Sequence, residues 1–380
     1  MIYFDNSATS YPKPLSVIKA VNDSLRFYSA NPGRSGHKLS MKAAEKVYEC
    51  RLAVCKLFNV DDESKVVFTS GCTQSLNIVI KGLLKKGDHC VISCLEHNSV
   101  LRPLEKLKSL GVTYSVADVD INDDEVTLAN FKKCIQSNTK LFICTHASNV
   151  FGIRLPIAKI CKLAHDNNIL FCVDAAQSAG VIDINVSKDK YDYVCCAGHK
   201  GLYGPMGVGF LIVNSDVLPD TIIEGGTGSD SLNAFQPEFI PDRFESGTLN
   251  IPGICGLKSG IDFVQARGVE NIYNHEIKFI KRISKALSKN TKIILYNDFN
   301  NENIAPVMSF SINGIDSEKV SRVLSSRYNI ATRAGLHCAP LAHKYMRTHE
   351  SGTIRISPSV FTSENDVAKL IKSINYFNFY

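Results

Sequence analysis

Four side chains stand in a pattern that can do chemistry together. Lys200 lies in Ala197-Gly198-His199-Lys200-Gly201, directly behind the apolar run 191–196 and ahead of Gly204-Pro205. A lysine on a tight turn at a strand end is either a solvated surface charge or, once desolvated, an amine with a lowered pKa suited to Schiff-base chemistry. Asp174 closes the apolar run 169–173, 26 residues earlier. A carboxylate there needs a cationic partner or several donors. A protonated pyridine nitrogen would be such a partner; a helix N-cap is the alternative. His97, in Glu96-His97-Asn98 after the run 90–94, has the shape to stack on a planar ring and the titration range to move protons, or it is an ordinary loop histidine. Thr73 belongs to Thr69-Ser70-Gly71-Cys72-Thr73-Gln74, a glycine-containing turn that points backbone N–H groups and a hydroxyl at an anion. No G-x-x-x-x-G-K-[ST] motif occurs. In this order at successive strand ends, a phosphate cradle, a stacking histidine, a carboxylate and a Schiff-base lysine describe a site for pyridoxal 5'-phosphate.

Two further stretches add to it. Thr332-Arg333-Ala334-Gly335-Leu336-His337-Cys338-Ala339-Pro340 places a thiol in a polar, basic loop, where Arg333 and His337 are expected to favour the thiolate. Most of the thirteen cysteines sit instead inside apolar runs. A metal site from His337, Cys338 and His343 is the competing reading of the loop, but no zinc-like pair of ligand pairs accompanies it, and no metal is expected. Arg355, in Thr353-Ile354-Arg355-Ile356-Ser357, is an arginine inside a short apolar strand. It serves either a structural ion pair or a carboxylate ligand, which its planar fork suits.

The elements that must position these groups follow from periodicity. Helices are expected over 15–28 and 40–58, the second capped by Ser40. Between them Asn31-Pro32-Gly33-Arg34-Ser35-Gly36-His37 is a polar turn. From residue 65 short apolar strands alternate with helices: strands at 66–68, 90–94, 114–119, 141–145 and 169–173, helices at 74–84, 100–110, 128–134 and 156–165. Two more strands follow at 191–196 and 208–213. Such alternation implies an α/β fold with a mainly parallel sheet flanked by helices. The stretch 214–250 lacks periodicity, and loops of that length are usually functional or disordered. Helices over 256–267, 269–288, 317–326 and 364–377, with strands at 293–295, 307–312 and 354–356, suggest a smaller α+β domain. The expected division is 15–255 for the large domain, with 1–14 and 256–380 forming the small one. At 380 residues, two domains are the ordinary outcome.

Composition narrows the class. Hydrophobic residues at 44% and charged residues at 21% describe a soluble globular protein. The formal charge of +6 is scattered, with no basic block resembling a nucleic-acid arm, so no nucleic-acid partner is expected. No apolar stretch reaches the ~18 residues that suggest a membrane span, and no leader is evident. An odd number of cysteines without C-x-x-C fits reduced thiols and a cytoplasmic location.

The residues also carry a family resemblance. From Tyr3-Phe4-Asp5-Asn6-Ser7-Ala8 to the final helix, the chain resembles class V, fold-type I pyridoxal-phosphate enzymes, and most closely cysteine desulfurases. The resemblance implies that Lys200 carries the cofactor as a Schiff base and then moves the α-proton. It implies that His97 stacks on the ring and assists proton transfer, that Asp174 pairs with the pyridine nitrogen, and that Gln177 contacts the phenolic oxygen. Thr73 and His199 match phosphate contacts, and Asn149 in Ser148-Asn149-Val150-Phe151-Gly152 matches an asparagine near cofactor and substrate. Arg355 matches the arginine that holds the substrate α-carboxylate. Glu245-Ser246-Gly247-Thr248 resembles a segment whose threonine reaches the phosphate of the neighbouring subunit, which implies a homodimer. Cys338 lies in a loop like that of the short-loop desulfurases, where it would take sulfur from L-cysteine as a persulfide and leave alanine. A separate sulfur acceptor protein is often the next recipient in that subgroup. Ala197 stands where the family often has a serine phosphate ligand. The rival readings keep the fold and change the substrate: selenocysteine lyase, cysteine sulfinate desulfinase or another class V aminotransferase. A non-catalytic sulfur-transfer scaffold is the rival from a different class. The sulfur's destination is not legible in the residues.

Overall fold

The computed structural model describes residues 1–33, 36–301 and 303–375. The chain opens with β1 (Ile2–Tyr3), α1 (Leu15–Phe27) and α2 (Lys38–Phe58). Alternation follows in β2 (Val66–Thr69), α3 (Cys72–Leu83), β3 (His89–Ser93), α4 (Asn98–Lys108), β4 (Thr113–Ala117), α5 (Asp124–Lys133), β5 (Thr139–Thr145), α6 (Ile157–His165) and β6 (Leu170–Asp174). After the short α7 (Val186–Asp189) come β7 (Tyr193–Ala197) and β8 (Gly209–Val213). These strands form one seven-stranded sheet in the order β2-β8-β7-β6-β5-β3-β4. Its pairs are parallel from β7 to β4, and only β8 runs antiparallel to both of its neighbours.

The sheet is apolar on both faces because helices cover both. Alternate residues of one strand enter different cores, as the two-residue side-chain period requires. Val91, Phe142, Phe171, Val173 and Val194 join one cluster, while Cys90, Ile92, Leu141, Ile143 and Cys172 join the other. This explains why six of the cysteines read as small core residues within apolar runs. The chain leaves β3 for β4 on one side and returns to β5 on the other. A crevice at such a reversal is where open α/β sheets hold ligands, at the carboxyl ends of the strands.

Past β8, no helix or strand interrupts the described stretch 214–250. α8 (Ile251–Arg267) and α9 (Val269–Leu287) lead to β9 (Ile293–Leu295), β10 (Met308–Ile312) and α10 (Ser317–Tyr328). Then come β11 (Ile330–Ala331), β12 (Arg333–Gly335), α11 (Pro340–Tyr345), β13 (Thr353–Ile356) and α12 (Glu364–Asn375). A four-stranded antiparallel sheet, β12-β13-β10-β9, packs on its own core around Phe279, Met308, Phe310 and Ile354. β1 pairs in parallel with β11, and Phe4 is buried in that same core.

Several boundaries differ from the sequence expectation for local reasons. Ser40 does not cap α2: His37 Nδ1 accepts from the Ser40 N–H at 3.2 Å, so the helix starts at Lys38, and the Ser40 hydroxyl donates to the Asn31 carbonyl at 2.7 Å. α8 starts at Ile251 rather than 256, because Asn250 accepts from the Gly253 N–H and a proline stands in the first turn. Glycines at 253, 256 and 260 hide that helix's apolar period. β11 and β12 were not expected, being only 2 and 3 residues long. Arg34 and Ser35 of the expected turn, and 376–377 of the expected last helix, lie outside the described residues.

Candidate active site

Lys200 follows β7 on a turn closed by Gly204 N–H to Gly198 carbonyl (2.8 Å) and Tyr203 N–H to Lys200 carbonyl (2.9 Å). The flanking glycines are required by close packing. A Cβ on Gly201 would lie 2.5 Å from the Ala179 carbonyl oxygen, and one on Gly198 would lie 2.7 Å from that of Val208. Burial lowers the Lys200 pKa, and the nearby Asp174 partly opposes the shift. This is the desolvated amine that the sequence pattern allowed, not a solvated charge.

Asp174 ends β6 and lines the same cleft, a space of about 220 Å³ walled by the turns that follow β2, β3, β5, β6 and β7. Its Oδ1 accepts from the Ala176 N–H at 2.9 Å and lies 3.3 Å from the Cys72 sulfur. Its Oδ2 has no partner among the described residues, so one carboxylate oxygen is fixed and the other is free for a cationic ligand. Cys72, at the start of α3, joins the cradle turn to this carboxylate through that contact.

His97 caps α4, its Nδ1 accepting from the Ser99 N–H at 3.0 Å. That bond places the proton of the neutral ring on Nε2. Burial pulls the His97 pKa down to about 4, so the ring in the cleft is neutral. Glu96 beside it is fully buried, its Oε1 taking the Ser93 hydroxyl (2.5 Å) and the Thr145 N–H (2.8 Å). Burial raises its pKa to about 8. Nothing in the sequence around Glu96 marked it as the support of the His97 turn.

The turn expected to cradle a phosphate lies at the mouth of the same cleft. α3 starts at Cys72 with no side chain capping its first turn, which leaves N–H groups for an anion. The Thr73 and Ser99 hydroxyls meet at 2.8 Å, and both residues line the cleft. His199 lines it too, with a buried Nδ1 that has no partner and a pKa lowered by burial to about 4. Gln177 and Asn149 complete the wall, Gln177 Nε2 donating to the Ser7 carbonyl at 3.0 Å. An uncapped helix start, two hydroxyls, an orphan imidazole nitrogen, a half-satisfied carboxylate and a desolvated lysine fit pyridoxal 5'-phosphate. Ala197 also lines the cleft and offers no side-chain donor.

Cys338 is the one exposed cysteine of thirteen. Its loop is held in an unusual shape: His337 and Cys338 have φ of 48° and 57°, the left-handed region. Asn149 Nδ2 donates to the His337 carbonyl at 2.7 Å, and the Asn98 N–H to the Cys338 carbonyl at 2.8 Å. Arg333 Nη2 lies 3.8 Å from the Cys338 sulfur, as expected. His337 does not act as expected. Its ring is buried against the Thr353 carbonyl (3.1 Å) and stacks with His343 at 5.8 Å. Burial and the Arg355 charge depress its pKa to about 2. It is neutral and supplies no positive charge to the thiol.

Like Cys338, two further expected residues stand apart from the cleft lining. Arg355 is 1% exposed and holds Asp5 Oδ1 at 2.6 Å and the Asn149 carbonyl at 3.0 Å. The ion pair considered from sequence is therefore present. Thr248 is exposed and accepts from Asn31 Nδ2 at 3.3 Å, away from its own chain's cleft. Its segment is anchored by Glu245, which binds Arg51 Nη2 and the Phe68 N–H, each at 2.6 Å.

Comparison with known proteins agrees with this geometry. Over residues 2–370 the chain matches the family described as aminotransferase class-V. It is 34% identical over 375 residues to a probable cysteine desulfurase of Methanothermobacter thermautotrophicus, spanning 97% of this chain and 92% of that protein. A probable cysteine desulfurase of Pyrococcus abyssi is 36% identical over 376 residues, with the same coverage of 97% and 92%. Among solved structures, the apo cysteine desulfurase of Thermococcus onnurineus NA1 superposes with a TM-score of 0.91 at 33% identity, covering 99% of this chain and 94% of that one. The chain belongs to the class-V aminotransferase family, among its cysteine desulfurases.

Proposed function

We propose that this chain is a pyridoxal-phosphate-dependent cysteine desulfurase in which Lys200 holds the cofactor and Cys338 takes the sulfur. When bound, the cofactor supplies an electron sink for the charge developing at the substrate Cα. Asp174 Oδ2 would keep the ring nitrogen protonated, and His97, neutral with its proton on Nε2, would cover the ring. Gln177 reaches the phenolic oxygen. The first turn of α3, Thr73 and His199 take the phosphate, with Ala197 leaving more of that work to them. Lys200, once its amine is free, moves the proton from Cα. Arg355 takes the substrate carboxylate near Asn149. The Cys338 sulfur attacks the substrate sulfur, the C–S bond breaks, and Cβ takes up a proton. L-cysteine and the enzyme thiol thus become L-alanine and an enzyme persulfide, with every atom accounted for.

The observation that carries this reading is the placement of Cys338: the sole exposed thiol, beside Arg333, on a loop bonded to cleft residue Asn149. The test is to assay Cys338→Ser for alanine formation from L-cysteine. A loss of ~100-fold or more with unchanged cofactor loading supports the reading, since removing a nucleophile is worth several kcal/mol. Wild-type alanine and sulfide release from that variant refutes it.

Four further readings belong with this one. A second copy brings its Thr248 to the phosphate, consistent with an exposed Thr248 on a stretch that also exposes Leu232, Phe235 and Phe239. A sulfur acceptor protein meets Cys338 at the surface. A reducing, cytoplasmic setting fits thirteen free cysteines, including Cys172 and Cys195, whose sulfurs lie 3.8 Å apart and unbonded; among the described residues no helix is long and apolar enough to cross a membrane. Residues 15–255 and the combined 1–14 and 256–380 are the proposed domains, with the cleft on the first and the Cys338 loop on the second.

A further inference from the structure

Arg355 is the largest side chain among the fully buried ones, and its charge is already answered inside the chain. Nη2 binds Asp5 Oδ1 at 2.6 Å, and Nη1 binds the Asn149 carbonyl at 3.0 Å. Nε is buried and has no partner. The guanidinium therefore keeps unspent donors while one carboxylate occupies one end of its fork. The two partners differ in access. The Arg355 side chain is 1% exposed, but that of Asp5 is 20% exposed, so the carboxylate is the member with room to move.

The Asp5 backbone, by contrast, is strapped down. The Ser357 N–H donates to the Phe4 carbonyl (2.7 Å), the Ser7 N–H to the Ser357 hydroxyl (2.8 Å), and Asn6 Nδ2 to the Ser357 carbonyl (2.9 Å). Gln177 Nε2 ties the same strap to the cofactor cleft through the Ser7 carbonyl. Asp5 thus sits at a fixed station beside Arg355, the penultimate residue of β13, with only its side chain free to swing. Burial alone would weaken the Arg355 charge, and Asp5 opposes that.

We propose that Asp5 is an internal stand-in for the substrate carboxylate: it keeps the Arg355 guanidinium paired and aligned between turnovers and yields Nη2 when the α-carboxylate of an amino acid arrives. This rests on the reading of Arg355 as the carboxylate ligand. A consequence is a threshold for entry. A ligand carboxylate must displace or crowd a like charge, and like charges placed side by side oppose binding. L-alanine, the product, carries the same carboxylate and meets the same opposition, so Asp5 also speeds product release.

The test measures L-alanine binding to holoenzyme from the change in cofactor absorbance, with ethylamine as the comparator that lacks the carboxylate. Asp5→Asn keeps the shape and removes the charge. It is expected to bind L-alanine tighter by on the order of 3–10-fold, with ethylamine unchanged and KM for L-cysteine lowered in parallel. Unchanged or weaker L-alanine binding in correctly loaded Asp5→Asn overturns the proposal. Arg355→Gln separates the two layers: if it leaves L-alanine binding as in the wild type, the reading of Arg355 fails and takes the proposal with it. If Arg355→Gln weakens binding but Asp5→Asn does not tighten it, only the Asp5 proposal fails. Where Asp5→Asn does not fold, a crystal structure of wild-type holoenzyme with L-alanine decides. Asp5 withdrawn from Nη2 with the ligand carboxylate in its place supports the proposal; an intact Asp5–Arg355 bond beside a bound carboxylate overturns it.

Discussion

Asn149 and His337, 188 residues apart in sequence, are joined by a hydrogen bond of 2.7 Å from Asn149 Nδ2 to the His337 carbonyl. Asn149 lines the cleft, and His337 immediately precedes Cys338, the proposed sulfur acceptor. The bond also ties the loop to Arg355, which donates to the carbonyl of the same asparagine. The proposed carboxylate ligand, the cleft wall and the proposed sulfur acceptor thus share one short chain of contacts.

Removing that bond isolates its contribution. Two consecutive non-glycine residues with positive φ are strained by about 1–3 kcal/mol each and persist only where their surroundings hold them. Asn149→Ala deletes one of those restraints, worth ~1 kcal/mol. The expected outcome is a fall of roughly 5–10-fold in kcat for alanine formation, with persulfide formation on Cys338 slowed in single-turnover mixing. Unchanged single-turnover kinetics would show that the loop needs no such anchor.

Cys72 offers a second check, on the cofactor side. Its sulfur lies 3.3 Å from Asp174 Oδ1 and the same distance from the Cys195 carbonyl, so the thiol bridges the cradle and the carboxylate. Cys72→Ala leaves Asp174 Oδ1 with the Ala176 N–H alone. A weak donor of this kind is worth ~0.5–1 kcal/mol, so cofactor affinity should drop by about 2–5-fold in an equilibrium titration, and Cys72→Ser should restore most of it. Equal affinity in all three proteins would assign Cys72 to packing only.

The buried histidines set a pH dependence of stability. His146 and His337 have pKa values lowered by burial to about 3 and about 2, against about 6.5 in an unfolded chain. Both are neutral when folded, so their contribution is fully present above pH 6.5. As the pH falls from there toward the folded values, the unfolded chain binds protons that the native state refuses, and stability is lost. Each group contributes a slope of ~1.4 kcal/mol per pH unit. Buried Glu96 and Glu276, with pKa values raised to about 8, contribute in the opposite direction over the same window, so the check is a difference between two proteins. Denaturant melts should show wild type losing ~1.4 kcal/mol per pH unit relative to His146→Gln between pH 6.5 and 4.5. A constant difference over that window would mean that the His146 ring is not buried neutral.

Much of this site was legible in the sequence because its parts sit at strand ends. Lys200, Asp174, His97 and Thr73 each follow an apolar run, and the runs are the strands of one sheet, so their order along the chain became proximity in the cleft. What was not legible depends on contacts across large sequence separations or on which way a ring turns. Asp5 meets Arg355 across 350 residues, and no local pattern announces such a pair. His337 reads as a basic neighbour of Cys338, yet its ring turns inward to the Thr353 carbonyl while Cys338 stays outside. The Ser40 cap failed for a smaller reason, since His37, three residues earlier, caps the helix and leaves Ser40 inside its first turn. Thr248 is placed by resemblance alone, and no local pattern shows that it stands outside its own chain's cleft.

The most direct test of the account is to incubate holoenzyme with L-cysteine, quench without reductant, and locate added sulfur by peptide mass spectrometry. The account predicts one extra sulfur atom on the Cys338 peptide, formed together with L-alanine and absent in Lys200→Ala. Added sulfur on another cysteine with Cys338 unmodified, or alanine formation without any persulfide at Cys338, would contradict it.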